Sequence, residues 1–189
     1  WRTTPCNALN RTLLVRTNGS SLNGPMSHRL LFCALATAVF IGPAYGAQKT
    51  ISGKPEIISG DTLSIGGTTV RLAGIDAPET GQNCRVVSGR IFDCGRISAT
   101  ALMDLTVAAT VSCRLTGERL DSLPSAKCTA GGYDLSKGMV HTGWALAWPR
   151  SGTNYSAVEA AARKRKHGLW RGRFEMPWDW LRKQRGETK

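Results

Sequence analysis

The sequence predicts an α+β domain, a small β-barrel with attached helices. Three observations lead there. Short strand-like segments with glycine turns fill the first half of the folded region. Apolar residues recur at helical spacing in three later stretches. The order is strands, a helix, more strands and then helices, which suits one layered core.

Not all of the 189 residues belong to that core. Leu30–Ile41 is an apolar run of about a dozen residues, preceded by Met26-Ser27-His28-Arg29 and followed by small residues. The pattern predicts a signal peptide over 26–46, with cleavage before Ala47. An uncleaved anchor is the rival, disfavoured because a spanning helix needs about 20 residues. Residues 1–25 precede Met26, show no periodicity and read as an upstream extension outside the fold.

Removing 46 of the 189 residues leaves 143, within the size of a single core. The full chain carries a net charge of +12. Without Arg2, Arg11, Arg16 and Arg29 the remainder has 21 cations against 13 acids, or +8. A basic excess of this kind points to a polyanionic partner, and composition argues against a multi-span membrane protein.

Four cysteines remain: Cys84, Cys94, Cys113 and Cys128. An even number in an exported chain favours disulfides and an oxidising compartment, secreted or periplasmic. Of three possible connectivities, Cys84–Cys94 with Cys113–Cys128 is preferred, because each closes a short excursion. Zinc is disfavoured, since no closely spaced cysteine pair exists.

Thr62–Ile65 alternates, Gly66-Gly67 forms a two-residue turn, and Thr68–Ile75 returns as the second strand. Asp76-Ala77-Pro78-Glu79-Thr80 continues as a loop. Residues 81–95 form an excursion bearing cysteines. Ile97, Ala101, Leu102 and Leu105 mark a first helix. Residues 110–115 and 126–129 read as strands joined by a polar loop. Leu135, Met139, Val140 and Trp144 mark a second helix. A third spans about 154–166 and stops at His167-Gly168. Residues 173–189 form a basic, Trp-rich tail, with Trp170, Trp178 and Trp180 expected to pack it onto the barrel.

A tight hairpin is antiparallel, so the start of one strand lies beside the end of the next. Asp61 is thereby brought near Arg71, Asp76 and Glu79. Crowded carboxylates call for a cation, and oxygen ligands suit calcium. The planar guanidinium of Arg71 suits a phosphate. Metal, phosphate clamp and spare carboxylate together describe phosphodiester hydrolysis. Singly, each residue would pass for a turn or surface residue; their convergence carries the argument.

Ser59-Gly60-Asp61-Thr62-Leu63 and Val70-Arg71-Leu72-Ala73-Gly74-Ile75-Asp76-Ala77-Pro78-Glu79-Thr80 resemble the thermonuclease, or staphylococcal nuclease-like, family. The likeness continues at Gly138-Met139-Val140, Gly143-Trp144-Ala145, Tyr155, Glu159 and Gly168-Leu169-Trp170, over about 55–172. It is strongest to the exported, cysteine-bearing bacterial branch. The resemblance implies a five-stranded OB-fold with about three helices, and a calcium-dependent nuclease acting on DNA and RNA. It implies Asp61 and Asp76 as metal carboxylates beside the Ala77 carbonyl, Glu79 as general base and Arg71 as phosphate ligand. Two positions depart. Ser59 stands where the family has an acid, and Leu123 where it has a second catalytic arginine, with Arg119 the nearest substitute.

Trp148 and Tyr155 are further candidates for contact with bases. The cations Arg163-Lys164-Arg165-Lys166 read first as a solvated helix end favoured by the dipole. His141 and His167 have no partner motif. Nucleic acid is the expected substrate, calcium the expected cofactor and a monomer the expected state, with membrane association only if the apolar segment is retained. The competing function is a catalytically weakened or non-catalytic OB-fold module binding nucleic acid or an acidic exopolysaccharide.

Overall fold

The computed structural model describes residues 48–148 and 154–187. The expected signal peptide, its cleavage point and the upstream extension lie outside the described residues.

The main sheet is built from β1 (Thr50–Gly53), β2 (Glu56–Ile57), β3 (Thr62–Ile65), β4 (Thr68–Leu72), β8 (Val111–Leu120) and β9 (Leu123–Ala130). Its hydrogen-bonded order is β1-β8-β9-β4-β3-β2, and β10 (Tyr133–Asp134) adds to β9. This sheet packs on one core and is not closed by a β1–β2 pairing among the described residues. The architecture is OB-fold-like α+β. Leu63, Val70 and Leu72 from the first hairpin are fully buried against Leu102, Leu135 and Met139 from the helices.

The hairpin of β3 and β4 forms where the two glycines predict it. Gly66 and Gly67 have φ of 55° and 76°, the left-handed pair that matches strand twist. The alternation of Leu63 and Ile65 puts both in the core. β4 then runs parallel to β9, with Arg71 opposite Ser125. This pairing carries the β8–β9 tip to the same rim as the first hairpin.

Four α-helices are present among the described residues. α1 (Cys94–Thr106) and α2 (Leu135–Thr142) start at aspartates, Asp93 and Asp134, whose carboxylates accept from Arg96 N and Lys137 N. α2 ends at Gly143, φ 76°, and α3 spans Ser156–Lys164. α4 (Pro177–Gln184) lies in the tail and was not among the expected helices; Pro177 at its first turn is the local signal.

Two further differences concern strands. The segment expected as a polar loop between 115 and 126 is itself strand, so β8 and β9 form one long hairpin turning at Asp121-Ser122, with φ of 46° and 69°. The excursion 81–95 holds a small sheet, β6 (Asn83–Val86) with β7 (Ile91–Asp93), to which the tail adds β12 (Gly172–Arg173). Both preferred disulfides are present. Cys84–Cys94 closes the excursion onto α1, and Cys113–Cys128 ties β8 to β9.

Candidate active site

Asp61 precedes β3, and its carbonyl accepts from Leu72 N at 2.7 Å, which fixes the strand start beside the strand end. Arg71 sits in β4, opposite Thr62. Asp76 belongs to β5 (Ile75–Asp76), which pairs with β11 (Leu146–Ala147). Glu79 follows in a loop pinned from behind by Gln82. The fully buried Gln82 accepts from Glu79 N at 3.1 Å and donates to the Glu175 carbonyl at 2.8 Å. Cys94 N and Gly95 N in turn donate to the Gln82 carbonyl.

Arg71 is the centre of the cluster and is itself buried. Its Nη2 donates to Asp61 Oδ2 at 2.9 Å and to Asp76 Oδ1 at 2.5 Å, and lies 4.0 Å from Glu79 Oε1. Nε donates to the same Asp61 oxygen at 3.1 Å, and Nη1 bonds Asp121. Ser59 and Thr62 orient Asp61 on its other side, both donating to Oδ1 at 2.9 Å, while Ala77 N donates at 3.2 Å to Oδ2, the oxygen that Arg71 also holds. Ser59 thus orients the buried carboxylate.

Four carboxylates face one guanidinium, so the cluster has an excess of negative charge. Burial pushes the Asp76 carboxyl up to about 8, with the neighbouring Asp61 adding to the effect and Arg71 opposing it. Burial and Asp61 also raise Glu79 above the usual carboxylate range. Burial works against the charge on Arg71, but Asp61 and Asp76 outweigh it and hold the guanidinium firmly ionised. A cluster in this state takes up either a proton or a cation.

The donor chemistry fits a hard cation. Asp61 Oδ2 and Asp76 Oδ1 both reach the same nitrogen of Arg71, so they are close enough to share an ion of calcium's size. Among the described residues no three His, Cys, Asp or Glu side chains form a ready-made metal cage. Arg71 lies between the carboxylates instead.

A cleft of about 240 Å³ opens onto Arg71 and Asp76. Its walls include Leu120 and Asp121 from the β8–β9 tip, Trp148, and Trp178, Arg182 and Arg185 from the C-terminal segment. Trp148 N donates to the Gly74 carbonyl at 2.8 Å, and the Trp148 ring lies 4.8 Å from that of Trp178.

A family model described as staphylococcal nuclease homologue matches residues 69–172. The chain belongs to this family. The staphylococcal nuclease homologue match includes Arg71, Asp76 and Glu79 and begins after Asp61. A curated relative, succinoglycan biosynthesis protein ExoI of Rhizobium meliloti (strain 1021), is 29% identical over 163 residues, covering 85% of each chain.

The structure therefore brings Asp61, Arg71, Asp76 and Glu79 together at one rim, with Trp148 in the adjoining cleft. Arg119 and Tyr155 do not line that cleft. Arg119 donates to the Ser122 carbonyl within its own hairpin, and Tyr155 is buried, donating to Asp134 at 2.8 Å. Leu123 pairs with Leu120 across the turn. Sequence reasoning missed Asp121, Gln82 and Arg185, and expected Trp178 only as a packing residue of the tail. For Asp121 a signal existed, because Asp-Ser between two β-prone runs is turn chemistry. Arg185 had none.

Proposed function

We propose that this protein is an exported nuclease that hydrolyses phosphodiester bonds in DNA or RNA with the help of calcium. The observation that carries the reading is the convergence of Asp61, Asp76 and Glu79 on the buried Arg71 beside an open cleft. Asp61 and Asp76, with the Ala77 carbonyl, would hold calcium, which supplies positive charge for the phosphate oxygens when bound. Glu79 is the least buried of the three acids, with its carboxylate side chain 26% exposed. It would take the proton from an attacking water, and its raised pKa, nearer to neutral pH, supports that role. Arg71, whose fork the acids hold in the free protein, would turn donors to the phosphate and meet the charge that develops on its oxygens. Family membership supports this reading, and the two disulfides support export into an oxidising compartment.

The test is release of acid-soluble nucleotides from denatured DNA and from RNA, with calcium and then with a chelator. Calcium-dependent release supports the proposal; its absence on both substrates refutes it.

A second reading is favoured by Leu123 and by the name of the curated relative, which refers to succinoglycan biosynthesis. It is a barrel that binds nucleic acid or an acidic polysaccharide without cutting. Binding that weakens steeply with salt, with no turnover, distinguishes it.

A further inference from the structure

The Asp121 carboxylate bridges two arginines. One oxygen accepts from Arg71 Nη1, and the other accepts from Arg185 Nη2 at 3.3 Å. Two guanidiniums that converge on one bidentate anion form a seat for any tetrahedral or planar oxyanion of that size. The seat opens onto the cleft, since Arg71, Asp121 and Arg185 all line it.

Contacts of the C-terminal segment hold Arg185 there. Its amide caps α4 by donating to the Leu181 carbonyl at 3.1 Å. α4 is anchored by Trp178 against Trp148. The segment before it pairs with β6 through β12 and is tied by Gln82 to the Glu79 loop. The same glutamine thus fixes the loop of Glu79 and the approach to α4. Arg182 lines the same cleft but is paired within the helix to Asp179. Arg185 spends its visible hydrogen bond on Asp121 alone among the described residues, and its charge also acts on Glu79.

We propose that Arg185 is a second phosphate-binding arginine, and that Asp121 occupies the phosphate seat in the free protein until a phosphodiester displaces it. This rests on the nuclease reading for the identity of the anion, but not for the existence of the seat. The ligand class is a nucleotide phosphate on the nuclease reading, and the indole of Trp178 lines the same cleft as the seat. No bond is made or broken in the exchange; one carboxylate leaves two guanidiniums and one phosphate takes its place.

The experiment measures binding of a labelled single-stranded DNA oligonucleotide with phosphorothioate links, in calcium and at fixed ionic strength, and in parallel cleavage of the unmodified strand. Arg185→Ala is expected to weaken binding about tenfold, the loss of one charge-assisted pair. Asp121→Asn is expected to tighten binding severalfold by removing the internal competitor. Lys137→Ala, at an exposed cation of α2 that does not line the cleft, serves as the control for general charge and is expected to change binding less than twofold. If Arg185→Ala does not fold, Arg185→Gln takes its place, and Asp121→Asn is read independently. Unchanged binding in the Arg185 variant, or weaker binding in Asp121→Asn, overturns the proposal even where the wild type cuts. Absence of cleavage by the wild type with both binding effects intact refutes the nuclease reading and leaves the seat standing.

Discussion

Asp61 accepts from Ser59, Thr62, Arg71 and Ala77 N, all inside the protein. Asp61→Ala leaves these donors without their acceptor and should cost about 2–3 kcal/mol, measured by urea unfolding. Calcium should no longer protect that variant. The pH dependence follows from Asp76. Its carboxyl is raised from the ordinary 3.8 to about 8, so the folded protein holds a proton that the unfolded chain has released. That contribution is fully present below about pH 4 and is lost as pH rises towards 8. In chelator, stability should therefore decline from about pH 4 to 8. Saturating calcium should flatten the decline, because the cation neutralises the cluster in the proton's place. A stability that rises across this window in chelator would contradict the assignment.

Two glycines set the positions of site elements through close approach. A Cβ at Gly60 would lie 1.8 Å from Ser98 Oγ, and one at Gly95 would lie 2.0 Å from the Glu79 carbonyl oxygen. Gly95→Ala must therefore move either α1 or the Glu79 loop. Turnover should fall at least tenfold, with a lower Tm read in the same samples. The disulfides separate in the same way. Replacing Cys84 and Cys94 by serine frees the excursion whose base holds Gln82, whereas Cys113–Cys128 reinforces strands already paired. Each loss should cost roughly 2–4 kcal/mol by the loop-closure argument. Activity at 25 °C should fall more for the first pair. The elements that were legible in the sequence are local ones. Gly66-Gly67 declares its hairpin, and the run from Arg71 to Glu79 declares its carboxylates within nine residues that fold as β4, β5 and a loop. The β8–β9 strands beyond Leu115 were not legible, because Thr116–Glu118 form an irregular, polar stretch that hides the alternation. α4 is short and its partners are distant in sequence, so its apolar spacing alone carried little weight.

At the scale of the whole molecule, the site joins three parts of the chain. Asp121 meets Arg71 across 50 residues and Arg185 across 64. Such contacts depend on the parallel β4–β9 pairing and on the docking of the tail, neither of which has a local signature. This is why four site residues were readable in the sequence and the far wall of the cleft was not. The basic excess points to a polyanion, and on the proposed function that polyanion would be held through a cation and Arg71. The most direct measurement of that claim compares the calcium-dependent cleavage rate of single-stranded DNA by the wild type and by Glu79→Gln, at matched folding and saturating substrate. A loss in kcat of about 10²-fold or more, with KM little changed, is predicted for the removal of a general base. Equal rates for the two proteins would contradict the account.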